Sequence, residues 1–222
     1  MNRRKVYGVF DTETVGVDRK WIYDLGLVVV EKTGKPIHRQ RWIIDEVINL
    51  PNIQTMAYYG WKIKTFYQNM EVVKFARAQA EFNRVIEQFG IDTLVAYNMA
   101  FDIAALKSTL EFTGSRRKKF LEKKLEYFDL WNAACDSFFQ QKRFPAIAVA
   151  NNWVSEAGNY RTNAEVAYRF ITGKHEFIET HTALEDAEIE AVILQEILRQ
   201  KKRIIRNEMV SHPWKKVQKN KR

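Results

Sequence analysis

The stretch Val6-Tyr7-Gly8-Val9-Phe10-Asp11-Thr12-Glu13-Thr14 limits what this chain can fold into more than any other. It opens as a short, β-prone apolar run and ends in two acids one residue apart. Side chains alternate between faces along an extended strand, so Asp11 and Glu13 point the same way. Two carboxylates side by side at the end of a buried strand repel each other. A fold keeps such a pair when something neutralises it, and a divalent cation is the obvious candidate. The plainer alternative is a strand running out into a polar turn. Asp186-Ala-Glu188 repeats the spacing in a helical stretch, so the pair alone does not decide.

At 222 residues the chain suits one domain with a substantial core. No apolar run approaches the ~20 residues of a membrane span. The basic start, Met1 to Lys5, reaches Asp11 without the apolar core of a signal peptide. A single cysteine, Cys135, leaves no internal disulfide, fits a reducing compartment and reads as a core thiol. These features lead us to expect a cytoplasmic protein, of a bacterium or a phage-infected cell. The net charge of +9 is unevenly placed. From Arg199 onward there are ten Lys or Arg and one acid, Glu208, so the excess sits in a basic C-terminal stretch. We read residues 1–205 as the domain and 206–222 as a basic extension, suited either to phosphate backbones or to solubility alone. A second basic cluster, Arg116 to Lys119 with Lys123 and Lys124, lies mid-chain.

Three strands come first: Val6–Thr14, Trp21–Glu31 and Pro36–Ile44, the last two joined by a turn at Gly34. Residues 45–70 carry no clear period. Helical spacing runs from Glu71 to Phe89 and stops at Gly90. A short strand, Thr93–Tyr97, precedes a helix over Phe101–Phe112, and Leu125–Phe128 precedes a helix over Asp129–Gln140. Asn151–Thr162 reads as a loop, Ala164–Ile171 as a short helix, and a long helix begins near Ala183. Strands first in series, then alternating with helices, predict an α/β sheet of mixed direction covered by helices.

Two further acidic positions can reach Asp11 and Glu13. Asp102 falls in the first turn after the strand Thr93–Tyr97, where the helix dipole favours a carboxylate. The last helix opens with Thr182-Ala-Leu-Glu185, a capping-box pattern. That places His181 and Asp186 at N′ and N4, two positions that pack together and are usually apolar. An imidazole and a carboxylate there are unfavourable as a staple, and a functional site gives a reason for them.

The set Phe10-Asp11-Thr12-Glu13-Thr14, Ala96-Tyr97-Asn98-Met99-Ala100-Phe101-Asp102 and His181-Thr182-Ala183-Leu184-Glu185-Asp186-Ala187 resembles the DEDDh family of 3′–5′ exonucleases over about residues 5–200. The resemblance implies a ribonuclease H-like fold, with a mixed five-stranded sheet and helices on both faces. It implies two Mg²⁺ or Mn²⁺ ions held by Asp11, Glu13, Asp102 and Asp186, with His181 as general base. It also implies that Thr14, Val15, Gly16 and Asn98 grip the terminal nucleotide. Many relatives carry His-Gly where this chain has Tyr59-Gly60, so one of Tyr58, Tyr59 or Trp61 is a candidate stacking platform; loop aromatics capping the core are the alternative. The expected activity is removal of nucleotides from single-stranded 3′ ends, DNA favoured over RNA. An RNA-trimming enzyme, or a non-catalytic nucleic-acid-binding subunit of a replication complex, is the alternative. Replication proteins are the partners this reading suggests.

Overall fold

The computed structural model describes residues 5–200 and 205–218. The remainder, which includes parts of both basic termini, lies outside the described residues. Six strands form one sheet in the order β4-β3-β2-β1-β5-β6. They are β1 (Val6–Thr14), β2 (Ile22–Glu31), β3 (Pro36–Ile44), β4 (Val72–Val73), β5 (Thr93–Ala96) and β6 (Glu126–Asp129). The first three make an antiparallel meander. β5 adds parallel to β1, β6 parallel to β5, and β4 parallel to β3.

The sixth strand is one more than expected. β4 is a two-residue edge strand, and its Val72–Val73 pair merges in sequence with the apolar stripe of the following helix. That helix, α4 (Phe75–Phe89), accordingly starts later than Glu71. Residues 45–70, without a readable period, form three short helices: α1 (Asp45–Ile48), α2 (Ile53–Met56) and α3 (Trp61–Thr65). The remaining helices are α5 (Met99–Phe112), α6 (Leu130–Asp136, followed by a 3₁₀ turn at Phe138–Gln140), α7 (Phe144–Ala150), α8 (Ala164–Thr172), α9 (Ala183–Arg199) and α10 (Lys215–Gln218). None of the described helices is long and apolar enough to cross a membrane.

Alternation along the central strands divides the core in two. Phe10, Leu25, Leu27 and Val29 face a cluster shared with α4 and α5. Tyr7, Val9, Val28 and Val30 face a second cluster, shared with α6, α7, α8 and α9. Helices therefore cover both faces. Asp11 and Glu13 continue the Tyr7–Val9 face and so look toward α9, by the same period-2 rule that pairs them in sequence. Cys135 is buried in the second cluster.

The described part of the basic C-terminal stretch is docked against the domain. Asn207 donates its N–H to Tyr127 O at 2.7 Å and accepts Tyr127 N–H on its side-chain oxygen at 2.9 Å. Arg206 pairs with Glu126, Lys216 reaches Asn132 and Asp136, and Val217 is 1% exposed.

Candidate active site

β1 ends beside the start of α9, and β5 ends at the start of α5, so the acids meet at one end of the sheet. Glu13, His181 and Asp186 each offer a ligand atom within 4.8 Å of the other two. No other trio of His, Cys, Asp or Glu converges so closely among the described residues. Asp11 and Asp102 stand outside that trio but act on one another. Burial raises the Asp11 carboxyl well above the usual range, and the charge of Asp102 raises it further, followed by Glu190, Asp186 and Glu13. Asp102 lies at the α5 side, where it accepts the hydroxyl of Thr12 at 2.7 Å. Thr12 therefore reaches Asp102 from one face of β1, while Asp11 and Glu13 use the other.

Burial dominates the electrostatics. It pushes the carboxyls of Glu13 up to about 7, Asp102 to about 8 and Asp186 to about 9. The cause is desolvation of the charged form, reinforced by acids that crowd one another. His181 moves the other way: burial, then the nearby Lys62 charge, lower its pKa and favour the neutral ring. That ring lies flat against Tyr59, centroids 4.4 Å apart and planes 12° apart, with Nδ1 3.7 Å from Glu179 Oε2. His181 itself has a left-handed backbone, φ 51°.

Several residues that sequence reasoning missed build this site. Asp24, fully buried on β2 opposite Glu13, accepts Tyr67 Oη at 2.8 Å and the Ala183 N–H at 3.0 Å. Its other oxygen lies 3.4 Å from Arg41 Nε. This carboxylate, and not Thr182, caps the first amide of α9; the Thr182 hydroxyl bonds the Glu185 side chain instead. The capping-box pattern thus marks the right helix start with a different partner. Arg41 and Arg39, two apart on β3, pair with Glu185 and Glu188 on α9. Gly26, opposite Asp11 in the β1–β2 register, lets the first turn of α9 touch the sheet. Asp129 caps α6 through Asn132 and is hydrogen-bonded by the Asn98 and Met99 amides. Glu190, one turn after Asp186, is 2% exposed, with one oxygen unpartnered. Asp24 had a legible signal: an acid inside a run buried on both faces must be partnered.

The residues expected to grip the nucleotide have other occupations in part. Val15 has a buried side chain, donates its N–H to Trp21 O and accepts from Tyr58 N–H. Gly16 donates to Arg19 O, and the Thr14 hydroxyl donates to Gly16 O at 3.4 Å. Asn98 is left-handed, φ 72°, at the turn into α5. Among the loop aromatics, Tyr59 stacks on His181, while Tyr58 is 80% exposed and Trp61 66% exposed.

No protein-family model matches the chain, and no curated protein does. Solved structures do. Exonuclease I from Methylocaldum szegediense is 15% identical over 89% of this chain and 41% of its own, with a TM-score of 0.51. A 3′-exonuclease that recognises the 3′ end of the histone mRNA stem-loop is 11% identical over 95% of this chain and 69% of its own, TM-score 0.63. E. coli Exonuclease I with a 5cy-dT13 oligonucleotide is 12% identical over 89% and 41%, TM-score 0.57. The chain thus spans about two fifths of the Exonuclease I chains. At these identities the likeness shows the fold: a mixed α/β sheet of the ribonuclease H-like exonuclease type.

Proposed function

We propose that the chain is a divalent-metal-dependent 3′–5′ exonuclease acting on single-stranded ends, with DNA favoured over RNA. The observation that carries this reading is the convergence of Glu13, His181 and Asp186 at the sheet end, beside Asp11 and Asp102, in a fold shared with exonucleases. The donor set fits a hard cation. Its oxygens are carboxylates, and Asp186 Oδ1 and Glu190 Oε2 are buried with no hydrogen-bond partner, a costly state that an ion would relieve. Asp11, Glu13, Asp102 and Asp186 are the residues that would hold two Mg²⁺ or Mn²⁺ ions. When bound, such ions lower the pKa of water and stabilise charge on the attacking and leaving oxygens.

The chain's own groups do the rest. His181, kept neutral by burial and by Lys62, takes a proton from the attacking water. Tyr59 fixes the plane of its ring. Thr12 orients Asp102, and Asp24 ties the start of α9 to β2, so that Asp186 is carried on a fixed helix end. On this reading Thr14, Val15, Gly16 and Asn98 would grip the terminal nucleotide, and the exposed rings of Tyr58 and Trp61 offer sequence-tolerant stacking. The basic residues from Arg199 onward add salt-sensitive attraction to the phosphate backbone.

The RNA reading keeps one supporting observation, the likeness to a 3′-exonuclease of histone mRNA. Digestion of matched DNA and RNA oligonucleotides separates the two. For the activity itself, Asp11→Ala should reduce Mn²⁺-dependent release of mononucleotides from a 3′-labelled oligonucleotide by about 10²-fold or more. Undiminished release would remove the site assignment, and leave a binding module as the better description.

A further inference from the structure

One buried cation enters the steps above only through its charge on His181, and its contacts are left unused there. Lys62, on α3, is 5% exposed, yet no carboxylate lies within ion-pair distance of its ammonium among the described residues. Instead the ammonium donates to two main-chain carbonyls, His181 O at 2.6 Å and Thr180 O. It also lies 4.8 Å from the centroid of the Tyr59 ring. Both carbonyls belong to the turn that delivers His181 to the acids. That turn holds His181 in the left-handed region, which a residue with a Cβ keeps only when its surroundings dictate it. A buried ammonium is itself costly, so two carbonyls and a ring face are the least it needs.

We propose that Lys62 is a positioning residue for His181, clamping the turn through the Thr180 and His181 carbonyls while the Tyr59 ring orients the imidazole. What His181 does chemically rests on the exonuclease reading, but the clamp does not. Tyr59 and Lys62 lie three residues apart, and they hold one histidine in two ways: the ring meets its face, and the ammonium meets its backbone. The same ammonium stands in the field of Glu13, Asp186, Asp24 and Glu179. It therefore repels any dication bound there. A residue kept only for stability would not be expected to weaken the cation site it borders. Removing Lys62 should thus have effects of opposite sign, a looser His181 and a tighter ion.

The test compares Lys62→Met, close in shape and suited to a buried position, with Lys62→Arg, which keeps the charge and donors. In the metal-free protein the stacked Tyr59 ring shifts the His181 imidazole C–H proton resonances upfield, assigned by their loss in His181→Ala. Lys62→Met should return them to unperturbed positions, and Lys62→Arg should keep them. Calorimetric titration should show Mn²⁺ binding about tenfold tighter in Lys62→Met, the scale of one charge acting on a dication across a small, partly solvated pocket. Lys62→Arg should leave it unchanged. In the exonuclease assay Lys62→Met should lose about tenfold or more in kcat, with KM altered by less than about threefold. Upfield resonances retained in Lys62→Met, or Mn²⁺ bound no more tightly, would overturn the proposal. If circular dichroism shows Lys62→Met unfolded, Lys62→Gln carries the same Mn²⁺ expectation. A wild-type protein that degrades nothing would end the exonuclease reading, and the resonances and titration would still decide the clamp.

Discussion

Gly26→Ala is the smallest change that should disable this site without touching any ionisable group. A Cβ built on Gly26 lies 2.4 Å from the carbonyl carbon and oxygen of Ala183 and from the Leu184 nitrogen. That is about 1 Å short of the 3.4 Å at which ordinary contact begins. All three obstacles are backbone, so no side chain can swing away. The first turn of α9 must lift from the sheet, against the Asp24 bond to the Ala183 amide and the Arg41 pair with Glu185. Overpacking of this kind costs roughly 1–3 kcal/mol, which for a chain of this size lowers Tm by roughly 2–12 °C. The rate should suffer more. Asp186 is carried less than one turn from the contact, and Asp11 sits opposite Gly26 in the register. A misplacement of about 1 Å costs on the order of 10²-fold in rate. Gly8→Ala is the control on the same strand pair, because its nearest neighbours are ends of Leu94 and Ile91 side chains at 3.0 and 3.3 Å. Thermal melting and Mn²⁺-dependent release, measured well below either Tm, report the two effects separately. A Gly26→Ala protein with wild-type rate and Tm, or a Gly8→Ala protein equally damaged, would refute the account of how α9 seats.

Two other outcomes follow from the same geometry. The Glu13, Asp102 and Asp186 carboxyls are raised to about 7, 8 and 9, so the metal-free native state holds more protons than the unfolded chain, whose carboxylates titrate near ~4. Stability in EDTA should therefore fall as pH rises from about 5 to 9, and Mn²⁺ should offset the fall by favouring the charged forms; a melting temperature flat across that range would contradict it. Val217→Ala removes two buried methyl groups, about 1.5–2.5 kcal/mol. It should lower Tm by roughly 3–10 °C while leaving the release rate at low temperature intact, and an unchanged Tm would show that the C-terminal segment does not pack as described.

The legible parts of this chain were those with a local period or a local signature. The three-strand meander, α4 up to Gly90 and the start of α9 could be read from apolar spacing and turn residues, and the structure has them within a few residues. Glu13, His181 and Asp186 were named from two strand-end acids and an odd staple pair, and they converge. What stayed hidden depends on distant partners. Lys62 is 118 and 119 residues from the carbonyls it holds, in a segment without periodicity. Gly26 looks like a weak point in a strand until α9 is seen to rest on it. Glu190 reads as an ordinary helical acid, although its i,i+4 spacing from Asp186 already placed both on one face. α7 went unseen because Phe144–Ala150, at seven residues, is too short to display a helical period.

The Asn207 contact bears on how copies of this chain can meet. By giving Tyr127 one main-chain donor and one side-chain acceptor, a single asparagine imitates the peptide group of a neighbouring strand. A sheet margin satisfied in this way has no free polar row to offer a second molecule there. While that segment is seated, β6 is closed to strand addition at Tyr127.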